Sequence, residues 1–198
     1  MIRLGILGST KGTNLLALKE AINSHRLPAQ IGLVVSNKAD ALILEKARQA
    51  AIPAFFVDSC GLSRPDYDQQ LHQVFRRFEV ELIVLIGYMR ILSAQFVQDW
   101  RHRIINVHPS LLPAFSGLMD LEVHRAFLQA GVKQSGCTVH YVTGEVDAGP
   151  ILIQKTCPVY ADDTPENLRS RVQQLEGQAL VAAIEGIAAH AWQKQFIN

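Results

Sequence analysis

The chain has no excess of charge of either sign: Lys+Arg 19 against Asp+Glu 18 leaves a formal net charge of +1 over 198 residues. Without a basic surface it offers no electrostatic footprint for nucleic acid or an anionic membrane, and neither is expected as a partner. Any anion it binds must be held by local geometry. Cysteine is also scarce. Cys60, Cys137 and Cys157 are far apart and without CxxC spacing, so a cysteine zinc site is excluded and each reads as a reduced, mostly buried thiol. No HxH, HExxH or acidic cluster accompanies His124 or His140, so no metal is expected, and His140 reads as a hydrogen-bonded core residue. No apolar run approaches the roughly 20 residues of a membrane span. The N-terminus, Met1-Ile-Arg-Leu-Gly-Ile-Leu-Gly, is too short for the apolar part of a signal peptide and has no cleavage site, which makes the cytoplasm the expected compartment. Repeats, linkers and low-complexity tracts are missing too, so residues 1–198 are expected to form one domain.

What is present is an alternation of strands and helices. Hydrophobic residues make up 48% of the chain and charged residues 19%, the balance of a globular protein with a substantial core. Short apolar runs at 2–7, 31–35, 53–57, 82–86, 104–108, 138–142 and 151–159 read as strands. Helical spacing covers 15–25, 41–50 after the capping stretch Ser36–Asp40, a segment opened by Ser63-Arg64-Pro65, 93–100 behind Ser93, 120–130 behind Asp120, and a last helix from 163–165 to about His190. The fold class that follows is α/β: a single Rossmann-like domain with a mostly parallel twisted sheet, an antiparallel C-terminal extension and helices on both faces.

Three polar constellations stand at strand ends. After the first strand comes Gly8-Ser9-Thr10-Lys11-Gly12-Thr13-Asn14. Strand, glycine loop and helix form either a plain tight turn or a cradle whose N–H groups hold a phosphate, with Ser9, Thr10, Lys11, Thr13 and Asn14 all offering donors and Gly12 left free for close approach. In Ile104-Ile105-Asn106-Val107-His108-Pro109 an apolar run ends in two polar residues that share a face, and Pro109 stops the strand. Asn106 and His108 are either a satisfied polar strand end or an oxyanion donor beside a proton carrier. Asp147, in Val-Asp-Ala-Gly-Pro, is either a turn former or the carboxylate that orients His108 and favours its imidazolium. Strand ends of one parallel sheet lie side by side, so one crevice can collect all three.

Asn106 to Pro113, with Gly87-Tyr88-Met89-Arg90-Ile91-Leu92-Ser93 before it and Gly136 to Val142 and Val146 to Pro150 after it, resembles the folate-dependent formyltransferases. Within them it is similar to the phosphoribosylglycinamide formyltransferases of purine biosynthesis, over nearly the whole chain. The resemblance implies transfer of the formyl group of 10-formyltetrahydrofolate, a co-substrate, to the amine of glycinamide ribonucleotide (GAR), with no metal. It implies Asn106, His108 and Asp147 as catalytic residues, and Gly12, Thr13, Asn14 and Glu176 as GAR contacts. For folate it implies Arg64, Met89, Arg90, Ile91 and Leu92, joined by Asn106 and by Thr143, Gly144, Glu145, Val146 and Asp147. The N-terminal half is thereby expected to bind the phosphate and GAR, and the C-terminal half to bind folate and carry the catalytic loop. Monomer and homodimer both stay open. The chain departs from the family pattern at Thr10, where a glycine is usual, at Lys11, and in a longer stretch from Phe115 to His124. The rival readings are a formyltetrahydrofolate hydrolase, in which water replaces the amine, and a non-catalytic nucleotide-binding module needing only the glycine loop.

Overall fold

Strand β1 (Ile2–Leu7) starts the sheet, and the chain winds outward from it before crossing back. It runs through α1 (Thr13–Asn23), β2 (Ala29–Ser36), α2 (Leu42–Gln49) and β3 (Ala54–Phe56) on one side. It then returns through α3 (Arg64–Arg77), β4 (Leu82–Leu85), α4 (Ala94–Asp99) and β5 (Ile104–His108) on the other. Helix α5 (Leu121–Gln129), the hairpin β6 (Gln134–Tyr141) and β7 (Ile151–Pro158), and α6 (Pro165–Gln195) complete the chain. This is a computed structural model; it describes residues 1–195, with side chains through residue 189.

The seven strands form one sheet in the order β3-β2-β1-β4-β5-β6-β7. The pairs β1–β2, β2–β3, β1–β4 and β4–β5 are parallel, whereas β5–β6 and β6–β7 are antiparallel. Winding reverses between β1 and β4, which opens a crevice at their C-terminal ends. Strand β4 is buried at every position, as its unbroken apolar run requires when both faces are covered. One face carries α1, α2, α5 and α6 over Leu15, Ile43, Val123 and Leu180. The other carries α3 and α4 through Tyr67, Leu71 and Phe75, spaced as one stripe of a helix, and through Phe96. Burying Phe75 completely contributes about 1.5–3 kcal/mol on its own.

Helices α3 and α4 begin as expected. Ser63 accepts the Asp66 N–H at 3.3 Å and Ser93 accepts the Phe96 N–H at 3.3 Å, each pairing a donor the first turn leaves open. Two other expected caps differ. Helix α2 starts behind Ala41 with no side-chain cap, because Ser36 Oγ accepts the Lys38 N–H instead. Asp120 precedes α5 but its carboxylate reaches Arg169 at 3.1 Å rather than the helix N–H groups. Strand β6 begins at Gln134, earlier than the expected Thr138, since pairing with β7 extends it through a polar, glycine-containing stretch that carries no apolar signal. Cys137 and Cys157 are buried but Cys60 is exposed, against the expectation of burial: it follows Asp58, whose carboxylate accepts its N–H in a surface turn. Among the described residues no helix is long and apolar enough to cross a membrane.

Candidate active site

Alternation along β5 puts Asn106 and His108 on one face, at the strand end beside the crevice. The β6–β7 connection returns over them. Gly149 packs so closely on the Tyr141 carbonyl that no Cβ fits, and this brings Asp147 back to β5. The carboxylate Oδ2 lies 3.3 Å from His108 Nδ1, and both side chains are under a tenth exposed. Asp147 adopts φ +54°, the left-handed region that Asp tolerates better than most residues. Its Oδ2 also accepts the Gly117 N–H at 2.9 Å, while Oδ1 stands 3.6 Å from His140 Nε2.

The structure brings Asn106, His108 and Asp147 into one cluster, and burial adds an electrostatic influence that the sequence did not show. Burial is the largest influence on His108 and lowers its pKa below the ordinary histidine value. Asp147 at Nδ1 and the Phe115 carbonyl, 3.3 Å from Nε2, both pull it upward and are outweighed. Burial thus favours the neutral ring, while the acceptors facing both of its nitrogens favour the imidazolium. Asp147 shows the reverse balance: burial raises its carboxyl, and the His140 ring, the Gly117 N–H and His108 together hold it below the ordinary range.

The glycine loop is arranged differently from the simple cradle. Gly12 sits at φ +60° ahead of α1, and a Cβ there would run into the Ile43 side chain of α2 rather than into the space in front of the loop. Glycine is thus required by α2 as well as by the backbone angle. Ser9 and Asn14 are not free donors. Ser9 Oγ donates to Asn37 Oδ1 at 2.6 Å, and Asn14 Nδ2 donates to Glu176 Oε2 at 2.7 Å. Burial pushes the Glu176 carboxyl up to about 7, against the pull of Asn14.

Two adjoining cavities collect these groups. The larger, about 370 Å³, is lined by Gly12, Thr13, Asn14 and Glu176 and by His108. The smaller, about 120 Å³, is lined by Met89, Arg90, Ile91 and Leu92 on one wall and by Thr143, Gly144, Glu145 and Val146 on the opposite one. Tyr88, Met89, Asn106, Met119, Val146 and Asp147 line both. Arg64 lines neither; it is exposed at the start of α3. Among the described residues no group of three or more His, Cys, Asp or Glu could hold a metal ion.

Sequence reasoning missed three contributors. His140 is buried as expected, yet its Nε2 is 3.2 Å from Asn106 Nδ2; the antiparallel register that pairs them could not be read before the hairpin was placed. His124, buried with Nδ1 unpartnered and its pKa lowered by burial to about 4, lines the larger cavity. Arg169 of α6 lines it too, and only helical periodicity from Glu176 could have pointed to it.

Comparison with known proteins identifies the family of the chain. Residues 2–184 match the formyl transferase family. The phosphoribosylglycinamide formyltransferase of Escherichia coli is 40% identical over 172 residues, covering 86% of this chain and 80% of that one. The trifunctional purine biosynthetic protein adenosine-3 of Gallus gallus is 46% identical over 196 residues, 97% of this chain, and this chain spans 19% of its length. The crystal structure of glycinamide ribonucleotide transformylase 1 from Symbiobacterium toebii superposes with a TM-score of 0.91 at 42% identity, covering 96% of this chain and 89% of that one. A family match along nearly the whole length, and relatives of about 40% identity, lead to one conclusion: the chain belongs to the formyl transferase family.

Proposed function

We propose that this protein transfers the formyl group of 10-formyltetrahydrofolate to the primary amine of GAR, in purine biosynthesis. The observation that carries the reading is that Asn106 and Asp147 line both cavities. A transfer reaction needs its catalytic groups where two bound substrates meet, and orientation of the two supplies much of the rate. GAR takes the larger cavity, with its phosphate at Gly12 to Asn14 and its ribose side toward Glu176. The formyl donor takes the smaller, its ring system between Met89–Leu92 and Thr143–Val146. Arg64, exposed outside both cavities, is left to the tail of the donor. The GAR end draws on Glu176 and the folate end on Met89 to Leu92, so in this reading the two substrates are not divided between halves of the chain.

The attacking amine adds to the formyl carbon, and an oxyanion develops. Asn106 Nδ2 and His108 Nε2 donate to it, the oxyanion taking the place that the Phe115 carbonyl occupies at Nε2. One proton leaves the amine and one must reach folate N10. Asp147, ionised and adjacent to both cavities, passes it through a bound water. Collapse of the tetrahedral species then breaks the bond from carbon to N10, giving formyl-GAR and tetrahydrofolate.

Absorbance of tetrahydrofolate release tests the assignment. Release that requires GAR supports it; equal release in water alone identifies a hydrolase, and no release under either condition a binding module.

A further inference from the structure

The segment Gly87–Leu92 between β4 and α4 has no helix or strand to hold it, yet it forms one wall of the smaller cavity. Tyr88 and Leu92 are buried in the core with Tyr67 and Phe75, but Met89 and Ile91 between them are about half exposed, at 42% and 53%, so burial alone does not set the path of the wall. Its backbone donors nevertheless need partners. At one end the Met89 N–H donates to Ser9 Oγ at 3.1 Å. At the other the Ser93 N–H donates to Asp68 Oδ2 at 2.5 Å. Both acceptors are almost fully buried, Ser9 at 3% and Asp68 at 2%, and neither lines a cavity.

Each acceptor is itself fixed. Ser9 donates its hydroxyl hydrogen to Asn37 Oδ1, which turns the oxygen lone pairs toward Met89, and its own N–H donates to the Gly87 carbonyl at 3.1 Å. Asp68 lies on α3 next to Tyr67, whose ring carries the Arg90 guanidinium 4.9 Å from its centroid. One end of the segment is therefore fastened to the loop after β1 and the other to α3.

We propose that Ser9 and Asp68 are positioning residues that fix the segment from Met89 to Leu92 as a preformed wall for the formyl donor, without touching either substrate. The proposal rests on reading the smaller cavity as the donor pocket. A wall held in place before binding saves the ordering cost that a free loop would incur on donor binding. Loss of either bond loosens the exposed stretch between Tyr88 and Leu92 at one end, while the Gly87 carbonyl and those two buried side chains keep the segment in place.

The test is steady-state kinetics on Ser9→Ala, Asp68→Ala and Asp68→Asn, with tetrahydrofolate and GAR binding measured by calorimetry. Each alanine variant is expected to raise the KM for 10-formyltetrahydrofolate about tenfold, the value of one buried hydrogen bond, while kcat and the KM for GAR stay within about twofold. Asp68→Asn keeps an acceptor oxygen and restores donor KM. A core substitution at the far end of the sheet, Leu27→Ala, is expected to lower Tm without moving donor KM. Donor KM unchanged in the alanine variants, an equal rise for both substrates, or no rescue by asparagine overturns the proposal. If Asp68→Ala does not fold, Ser9→Ala and Asn37→Leu decide it, the latter by removing the acceptor that orients Ser9. Should the wild type bind tetrahydrofolate but form no product with GAR, the functional reading fails; the wall is then judged on tetrahydrofolate affinity alone.

Discussion

Asn106 Nδ2 lies 3.2 Å from His140 Nε2 across the β5–β6 pair, and a backbone carbonyl decides which of the two donates. His140 Nδ1 is 2.9 Å from the Tyr141 carbonyl, which can only accept, so Nδ1 carries the proton. When Nδ1 carries the only ring proton, Nε2 is the acceptor and Asn106 gives it one amide hydrogen. The other stays available for an oxyanion. His140→Phe keeps a ring of similar size and removes the acceptor. The expected result is a fall in kcat of about tenfold with little change in either KM. A wild-type kcat with only a lower Tm returns His140 to the role of a core residue.

Asp147→Asn removes the carboxylate beside His108 at nearly constant shape, and asparagine accepts the φ of +54° found there. The histidine loses one of its two upward influences, so its pKa falls further below the ordinary 6.5. NMR titration of the imidazole reads this directly. Because the native ring releases its proton more easily than the unfolded one, its contribution to stability is present above the unfolded pKa and is lost as pH falls below it. A kcat loss of about a hundredfold is expected as the proton relay fails. Retention of kcat and of the pH profile makes Asp147 a turn residue and removes it from the catalytic group.

The buried Glu176 carboxyl gives a stability signature of opposite slope. Its native pKa, about 7, lies above the ordinary 4.5. Between those values the native chain keeps a proton that the unfolded chain has released, so stability falls as pH rises through that window and is level above it. Glu176→Gln is expected to raise Tm relative to the wild type at about pH 8 and to leave it unchanged near pH 4. The KM for GAR should rise about tenfold with loss of a charged acceptor. Parallel melting curves for the two proteins across the range contradict this account.

Gly12→Val tests the loop after β1. The added side chain meets Ile43 and the backbone angle is one that a β-branched residue resists, so the loop must shift. A loss of GAR affinity between about tenfold and about a hundredfold is expected, as the strain of that backbone region implies. Tetrahydrofolate affinity should stay within about twofold. Trimming Ile43 to Ala in the same chain should recover part of the loss; calorimetry showing equal GAR affinity for wild type and Gly12→Val removes the loop from the GAR site.

Much of this was legible because local chemistry and global fold agree. The apolar run ending in Asn106 and His108, the proline behind it and the glycine loop after β1 each carry their own stop signal. What was hidden depended on pairing partners distant in the chain. The start of β6 at Gln134 is set by β7, and the His140 contact by the register with β5. The opposing pull of burial on His108 stayed hidden because a neighbouring carboxylate can be seen in a sequence whereas the depth of burial cannot. Ser9 read as a phosphate donor for the same reason: nothing in its local sequence shows Asn37 and the Met89 N–H waiting for it.

The hydrogen bond from Asn14 to Glu176 closes a span of 162 residues, and this has a consequence during synthesis. At a ribosomal rate of roughly 5–20 residues per second, Glu176 is added roughly 10–30 seconds after Asn14. Until then the first loop lacks its partner on α6, although β6, which brings His140 to Asn106, has already been made. A nascent chain can lay down its parallel strands early, but the larger cavity still lacks the lining that Arg169, Gln173 and Glu176 provide. The larger cavity is therefore completed only when the last helix docks, whereas every residue lining the smaller one is made before that helix begins.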